Sequence, residues 1–445
     1  MAALGVDFAG GCGYNRGMKN VIVAQSGGPS PVINASLAGV IAACADFPGS
    51  FGRVFAGWHG IEGILREELL DLSCQPRDQI ALLTSTPAAG VIGTCRYKLR
   101  PTQAEDFSRI VDVMRAHDAG WFFYIGGNDS MDTADKLSGL ARSRGVGLVV
   151  TGVPKTIDND VGDDEFKLVD HTPGYGSAAR YWASITRDAE EENRGMSPSE
   201  CVLVLQAMGR TAGFVPAAAR LADPDRQFPL QIYTAESGHS LASLTHHVNE
   251  QLCRTGRCIV VVSEGFNVGS LGEQHDGFGH VEYGACETTV AQVVVNHLNR
   301  TTLAVRGKAT GQVPGILQRS TSLHASTVDM AEAYEVGRAA VSIALDHGTG
   351  WMATILRAPG ATYRATYGKV PLIHVANFHR QLPKQWLAKD GLDVTDDFVR
   401  YAQPLIGDGM PPFVFRNGVP QFARFEPAFA EKKLPAYVPQ AYRSD

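Results

Sequence analysis

The sequence of 445 residues lacks the features that place a protein in a membrane or on nucleic acid. It has no run of about 18 consecutive apolar residues, which argues against a membrane-spanning helix. Its N-terminus lacks the basic start and apolar run of a secretory signal, so we expect a cytoplasmic protein. The formal net charge of -6 gives no basic surplus to attract nucleic acid, so an anionic ligand needs a local cluster of Lys and Arg.

Paired cysteines are also missing. The eight cysteines include no C-x-x-C pair, and the nearest two, Cys253 and Cys258, have no His or Cys partner at zinc-finger spacing. We therefore expect reduced structural thiols. No low-complexity linker interrupts the chain, whose length suggests two or three domains.

The first 17 residues carry glycines but no surrounding pattern. Gly11, Gly13 and Gly17 nearly match a dinucleotide-binding fingerprint, yet no strand precedes them and no apolar helix follows directly. Met18 stands immediately before the apolar run of the first predicted strand. We expect residues 1–17 to be a disordered tail without chemistry.

Strand and helix patterns alternate through the rest of the chain. The apolar run 21–25 is followed by a glycine turn and by helical spacing from Ile33, and similar units occupy residues 104–154 and 201–266. Continuous apolar strands of this kind are typical of parallel sheets covered on both faces. The sequence predicts an α/β protein of two similar halves, divided near residues 160 to 200.

Polar or glycine-rich turns follow four of the predicted strands, with the sequences SGGPS (26–30), GGNDS (126–130), GVPKTIDND (152–160) and SEGF (263–266). In doubly wound sheets, ligands bind outside the carboxyl ends of the strands, and helix N-termini there bind phosphates. Each turn alone is explained as a tight turn or a helix cap. Their occurrence together favours a phosphate site.

The third turn carries the most chemistry. Lys155, Asp158 and Asp160 lie within six residues of each other at a strand end, and capping accounts for only one of the two carboxylates. Phosphoryl transfer to a sugar hydroxyl needs a carboxylate to accept the proton, cations around the transferred group and usually Mg²⁺. This turn supplies such groups.

The turns that begin at Ser26, Gly126 and Gly152, together with MGRTAG (208–213) and QRSTSLHAS (318–326), resemble motifs of the phosphofructokinase family. They occur in the order typical of that family and extend across most of residues 20–340. The resemblance implies two Rossmann-like three-layer α/β domains with the active site in the cleft between them. We expect a phosphoryl-donor domain of residues 18–160 plus about 318–380, and a sugar-phosphate domain of about 161–317. Residues 381–445 are expected to form an accessory segment that packs on both domains.

Two positions indicate which phosphoryl donor the chain uses. ATP-dependent members of the family usually have glycine where this chain has Asp129 and Lys155, and both changes resemble the pyrophosphate-dependent branch. An aspartate adds bulk and negative charge beside a nucleotide α-phosphate, which disfavours ATP, while the lysine offers a compact cation to inorganic phosphate.

The resemblance therefore implies reversible, pyrophosphate-dependent phosphorylation of fructose 6-phosphate at its 1-hydroxyl, giving fructose 1,6-bisphosphate and phosphate. Two alternatives stay open: an ATP-dependent 6-phosphofructokinase with an adjusted nucleotide site, and a catalytically weak, sugar-phosphate-binding regulatory subunit.

Residue roles follow from the matched positions. Asp158 matches the general base of a direct in-line transfer without a phosphoenzyme, and the other residues expected in catalysis are Lys155, Thr156 and Arg96. Donor binding is expected from Gly28, Gly127, Asn128, Asp129, Ser130 and Lys98. Sugar-phosphate binding is expected from Thr156, Asp158, Asp160, Met208, Gly209, Arg210, Glu264 and Arg319.

Three positions depart from the family pattern. Asn128 replaces a metal-binding aspartate, so we expect Mg²⁺ to be held by Asn128 and Asp129, with Asp160 as an alternative ligand. Ile316 stands where His or Tyr is common and cannot hydrogen-bond a sugar phosphate. Cys201 stands where a neighbouring subunit usually supplies an arginine.

Candidate replacements for that arginine are Arg194, Arg306 and Lys308. Because the family builds its sugar site across subunits, we expect a homodimer or homotetramer.

Overall fold

Apolar strands organise the chain into sheets, as the sequence predicts. The structure is a computed structural model that describes residues 18–443, so the expectation for residues 1–17 lies outside it. The strands are β1 Asn20–Gln25, β2 Val54–Gly57, β3 Leu69–Asp71, β4 Ala119–Gly126, β5 Val149–Pro154, β6 Val202–Ala207, β7 Leu230–Tyr233, β8 Cys258–Ser263, β9 Ala309–Gln312, β10 Trp351–Arg357, β11 Ala365–Pro371, β12 Phe415–Arg416 and β13 Val419–Pro420.

Helices connect these strands on both faces of the sheets. They are α1 Ile33–Asp46, α2 Ile61–Leu65, α3 Arg77–Ala81, α4 Ala104–Ala116, α5 Asn128–Ser143, α6 Tyr175–Met196, α7 Phe214–Ala217, α8 Leu241–Thr255, α9 Val290–Arg300, α10 Leu317–Ser320, α11 Thr327–His347 and α12 Asp396–Ala402. No helix of residues 18–443 is long and apolar enough to cross a membrane.

The strands form two main sheets. The first has the order β11-β10-β5-β4-β1-β2-β3, in which β3 and β11 run antiparallel to their neighbours and the other pairs are parallel. The second has the order β7-β8-β6-β9 and is parallel throughout. The two parallel sheets with their helices confirm the predicted α/β class.

Alternation along the central strands places a hydrophobic core on each face of the first sheet. Val21 and Val23 of β1 pack in one core with α1 and α11, whereas Ile22 and Ala24 pack in the opposite core with α4 and α5. Glycines bring α1 and α11 close together, because a Cβ on Gly39 would overlap the backbone of Tyr334. This face of the sheet is therefore covered by two closely packed helices.

The second sheet is built in the same way. Leu203 and Leu205 of β6 pack with Trp182 of α6, while Val202 and Val204 face α8 and α9. Strands buried on both faces explain why the sequence shows continuous apolar runs here instead of alternation.

The chain after Leu382 contacts the cores of both sheets. Phe398 is buried in the core of the second sheet, Ala423 in one core of the first, and Tyr437 packs against the other. We propose to treat the two sheets as two domains with the limits given above, because β1 to β5 and the returning β10 and β11 share one sheet while β6 to β9 share the other.

Candidate active site

A cleft of about 510 Å³ lies at the carboxyl ends of six parallel strands drawn from both sheets. The four turns singled out in the sequence meet here. Fourteen of the sixteen residues predicted to act in catalysis or binding line the cleft: Gly28, Arg96, Gly127, Asn128, Asp129, Ser130, Lys155, Thr156, Asp158, Asp160, Met208, Arg210, Glu264 and Arg319. The other two contact this set, because Lys98 pairs with Asp129 and the Gly209 N–H donates to Glu264.

The glycine-turn end of the cleft consists of the turns after β1 and β4 together with Arg96 and Lys155. Lys155 is only 3% exposed, and its Nζ donates to the Gly28 carbonyl oxygen at 2.5 Å. Its backbone N–H donates to the Gly126 carbonyl at 2.9 Å. The lysine is therefore fixed between the two glycine turns.

Cations converge on Gly28 because this residue has no side chain. A Cβ there would overlap the Arg319 guanidinium and would lie 3.5 Å from Arg96 Nη2. Burial, followed by the charge of Arg319, lowers the pKa of Lys155 to about 7. Such a concentration of positive charge around a glycine turn suits a small, multiply charged anion.

Asp129 at the start of α5 is held in place from two sides. Its Oδ1 lies 2.9 Å from Lys98 Nζ and its Oδ2 lies 2.8 Å from His280 Nε2. Burial opposes its ionisation, but hydrogen bonds from His280 and Lys98 lower its pKa to about 2. The carboxylate is therefore charged and has little freedom to move out of the way of a ligand. His280 lies outside every motif of the sequence, so sequence reasoning missed it.

The acids of the third turn face the cleft together because the residue between them turns inward. Asn159 has a φ of 57°, a left-handed conformation that asparagine tolerates well, and its side chain donates to the Tyr401 hydroxyl at 2.8 Å. The Asp158 N–H donates to Thr156 Oγ1 at 3.1 Å. Asp158 and Asp160 consequently both line the cleft.

The two acids differ in proton affinity. Burial and then the charge of Asp160 raise the pKa of Asp158. Burial opposes the ionisation of Asp160 too, but a hydrogen bond with His379 lowers the pKa of that carboxyl. A raised pKa brings a carboxylate closer to what a general base needs at neutral pH. Asp158 is therefore the better proton acceptor of the pair.

Two residues of the segment between β11 and α12 hold this turn. His379 Nδ1 lies 3.3 Å from Asp160 Oδ2. Arg380 is fully buried, donates its backbone N–H to the Asp160 carbonyl at 2.8 Å, and donates from Nη2 to the Asn159 carbonyl at 3.0 Å. Neither residue belongs to a sequence motif, and we find no signal in the sequence that points to them.

The arginine end of the cleft consists of Met208, Gly209, Arg210, Glu264 and Arg319. Glu264 Oε1 accepts the backbone N–H groups of Gly209 at 3.2 Å and Arg210 at 2.9 Å. Burial raises the pKa of Glu264 to about 7. Arg210 has a φ of 52°, and its Nε lies 3.8 Å from Asp158 Oδ2. Among the described residues of this end, Arg210 is the arginine that lies within ion-pair distance of the acid pair.

Arg319 lies where the two ends meet. Its Nε is buried without a hydrogen-bond partner among the described residues, while its guanidinium covers Gly28. Such a buried, unpaired donor favours an anionic ligand. Gln318, its neighbour in the sequence, accepts the Met208 N–H on Oε1 at 2.9 Å and so fixes the start of the MGR turn.

Two of the three departures from the family pattern, Ile316 and Cys201, have different surroundings. Ile316 is 63% exposed at the rim of the cleft, and Cys201 is buried in the core between the second sheet and its helices. Arg194 pairs with Glu190 and Lys308 with Glu200, so neither side chain is turned into the cleft of its own chain.

The oxygen ligands near Asn128 suit a divalent cation. Asn128 Oδ1 is buried without a hydrogen-bond partner among the described residues, and its Nδ2 lies 3.1 Å from Asp160 Oδ2. Within residues 18–443 no group of three or more His, Cys, Asp or Glu side chains is arranged to hold a metal. Mg²⁺ commonly binds through one or two protein oxygens plus substrate phosphates, so the donor set fits that mode.

Glycine turns at strand ends, converging cations and a carboxylate pair define a phosphate-binding α/β site. The family model described as Phosphofructokinase matches residues 20–344, and the chain belongs to this family.

Individual relatives agree with the family assignment. The chain is 38% identical over 428 residues to the pyrophosphate–fructose 6-phosphate 1-phosphotransferase of Halomonas elongata, covering 94% of this chain and 99% of the relative. It is also 38% identical over 429 residues to the enzyme of that name from Xanthomonas campestris, with coverage of 94% and 99%. The crystal structure of pyrophosphate-dependent phosphofructokinase from Marinobacter aquaeolei matches with a TM-score of 0.84 and 36% identity, covering 95% of this chain and 100% of that one. The resemblance found in the sequence is confirmed.

Proposed function

We propose that this protein transfers a phosphoryl group reversibly from pyrophosphate to the 1-hydroxyl of fructose 6-phosphate, giving fructose 1,6-bisphosphate and phosphate. The relatives named above support this reaction. The observation that carries the proposal is the position of Lys155, buried against Gly28 in a cleft that also holds the fixed carboxylate of Asp129.

Pyrophosphate binds at the glycine-turn end. Lys155 and Arg96 neutralise its charge, and the glycines allow its oxygens to approach the backbone. The ionised Asp129 repels a further phosphate and takes space beside Lys98 that a nucleotide would need. The site therefore accepts two linked phosphates and disfavours a nucleoside triphosphate.

Fructose 6-phosphate binds at the arginine end, with Arg210 and Arg319 for its phosphate and Glu264 for its hydroxyl groups. Its 1-hydroxyl lies next to Asp158, which accepts the proton while the hydroxyl oxygen attacks the terminal phosphorus of pyrophosphate and phosphate leaves on the opposite side. In the reverse direction Asp158 returns the proton. No phosphoenzyme is required.

We propose Asn128 and Asp129, with the neighbouring Asp160, as the residues that hold Mg²⁺. When bound, Mg²⁺ neutralises charge on the phosphate oxygens. The hydrogen bond between Asn128 Nδ2 and Asp160 leaves Asn128 Oδ1 free to face a cation.

We also predict that the protein forms a homodimer or homotetramer. Light scattering of the purified protein measures its oligomeric state.

The decisive experiment compares donors. Purified protein is assayed with pyrophosphate and with ATP on fructose 6-phosphate, and in reverse with fructose 1,6-bisphosphate and phosphate. We expect turnover with pyrophosphate in both directions and at least a hundredfold lower kcat/KM with ATP. Efficient use of ATP alone would identify an ATP-dependent enzyme, and sugar-phosphate binding without turnover would identify a regulatory subunit.

A further inference from the structure

A short hairpin formed by residues 274–282 crosses from the second sheet to the glycine-turn end. Its backbone pairs through the Glu282 N–H to the Gln274 carbonyl at 2.7 Å and the Asp276 N–H to the His280 carbonyl at 2.9 Å. It follows β8, whose end carries Glu264. The reaction described above uses none of its side chains.

Asp276 ties the 274–282 hairpin together and fixes it to Arg96. Its Oδ1 accepts the N–H groups of Phe278 at 2.9 Å and His280 at 3.1 Å, and its Oδ2 forms an ion pair with Arg96 Nη1. The Asp276 side chain is only 1% exposed. Because a buried carboxylate needs such partners, Asp276 and Arg96 are fixed relative to one another.

The hairpin also contacts the other residues that set the size of the glycine-turn end. His280 Nε2 lies 2.8 Å from Asp129 Oδ2, and a Cβ on Gly277 would overlap the Arg96 carbonyl oxygen. Phe278 is 8% exposed and lines the cleft. The hairpin is therefore packed on both Arg96 and Asp129.

Arg96 spans the space between the phosphate turn and the hairpin. Its Nη2 faces Gly28, while its Nη1 forms an ion pair with Asp276 Oδ2. The hairpin thus lies about one guanidinium group away from the turn that receives phosphate. A donor longer than a diphosphate that extended from Gly28 towards Arg96 would meet the 274–282 hairpin as well as Asp129.

We propose that the 274–282 hairpin is a second determinant of donor choice, in which Asp276 and His280 position Arg96 and Asp129 so that the glycine-turn end closes around a diphosphate. This inference rests on the proposed function. It assigns donor selectivity to two layers: the side chains at positions 129 and 155, and the hairpin that supports and encloses them.

The first experiment measures KM and kcat for pyrophosphate in single variants. His280→Ala removes a hydrogen bond to a charged group, so we expect KM to rise about tenfold with kcat changed less than about twofold. His280→Gln keeps a donor and is expected to stay within about threefold of the parent KM. The matched control is His275→Ala, an exposed histidine of the same hairpin, which is expected to change neither constant.

The second experiment is a donor cycle with three variants: Asp129→Gly with Lys155→Gly, Phe278→Ala with His280→Ala, and all four changes combined. For each, the kcat/KM with ATP is divided by that with pyrophosphate. If the hairpin forms a second layer, the combined variant raises this ratio about tenfold beyond the product of the two separate effects.

The outcomes separate the two proposals. A parent protein that fails to use pyrophosphate contradicts the proposed function. A parent that uses pyrophosphate, with unchanged KM in His280→Ala and a purely multiplicative donor cycle, overturns the role of the hairpin alone. If the combined variant does not fold, as judged by its thermal unfolding, the single variants decide: equal KM values for His280→Ala and the parent overturn the inference.

Discussion

The two ends of the cleft differ in how their charges are matched. At the glycine-turn end, Asp129 is paired with Lys98 and His280, and Arg96 with Asp276. At the arginine end, Arg319 Nε has no partner among the described residues. Arg210 reaches a carboxylate only at 3.8 Å.

This difference indicates how each end gains affinity. The paired glycine-turn end is already organised, so a ligand must be compact and strongly charged to compete with the carboxylates, which favours selectivity. The arginine end holds a buried donor, Arg319 Nε, that has no partner among the described residues, so a ligand that binds it removes the cost of an unpaired buried group. In the proposed reaction, selectivity for the donor and affinity for the sugar phosphate would thus have different physical causes.

The largest effect is expected at Asp158, where the two ends meet. Asp158→Asn keeps the shape but removes proton acceptance, so we expect kcat to fall about a thousandfold while both KM values change little. Steady-state kinetics measure this, with the exposed Asp164→Asn of the same loop as a control. A loss below tenfold would contradict the role of Asp158 as general base.

Breaking the glycine-turn end alone is the next test. Lys155→Met removes the buried cation, and we expect kcat/KM for pyrophosphate to fall about a hundredfold with the KM for fructose 6-phosphate nearly unchanged. Exposed Lys167→Met serves as the control. An equal effect on both substrates would show that the two ends are not independent.

Lys155→Met also tests how much the buried cation lowers the free energy of unfolding. Because folding lowers the Lys155 pKa from 10.5 to about 7, protonated Lys155 destabilises the fold, fully below about pH 7 and progressively less as pH rises towards 10.5. Lys155→Met is therefore expected to raise the free energy of unfolding by about 2 kcal/mol at pH 6 and by little at pH 10. Denaturant unfolding at both pH values measures the difference, and equal gains would contradict this linkage.

Much of the cleft can be predicted from the sequence, because parallel strands direct the turns that follow them to the same edge. That rule brings together Gly28, Asn128 and Asp158 at the edge of the first sheet, and Met208 with Glu264 at the edge of the second, although these residues are far apart in the chain. Short strands such as β9, with the sequence ATGQ, lack the apolar run that reveals the longer ones. Element patterns therefore find the centre of each sheet more readily than its edges.

The supporting residues could not be found in this way. His280, His379 and Arg380 come from loops whose paths depend on how the two sheets and the late segments pack. The Arg380 guanidinium donates to the backbone carbonyls of Asn159, in the third turn, and of Val169, an arrangement that no local pattern encodes. Sequence motifs identify residues that would touch a ligand, whereas the residues that hold them in place depend on tertiary structure.

Raising the pH from 6 to 8 is expected to change the KM values for the two substrates in opposite directions. Lys155, with a pKa of about 7, loses its charge above neutrality, so KM for pyrophosphate is expected to rise several-fold between pH 6 and 8. Glu264, also with a pKa of about 7, gains charge over this range and becomes a better acceptor of hydrogen bonds from the sugar hydroxyl groups, so KM for fructose 6-phosphate is expected to fall. Lys155→Met and Glu264→Gln should each flatten one trend only. Parallel trends in both variants would instead reflect ionisation of the substrates.

The smallest effect is expected from adding a hydrogen-bond donor for the sugar phosphate at the rim of the arginine end. Ile316 is 63% exposed beside the cleft and offers no hydrogen bond, so Ile316→His adds a donor at a solvated position. A new hydrogen bond to a charged phosphate at such a site contributes about 1 kcal/mol, so KM for fructose 6-phosphate should fall about threefold to fivefold. KM for pyrophosphate should not change, because the glycine-turn end already has its partners. Leu317→His, the next exposed apolar residue and one that does not line the cleft, is the control, and an equal gain there would attribute the effect to general positive charge instead of to the arginine end.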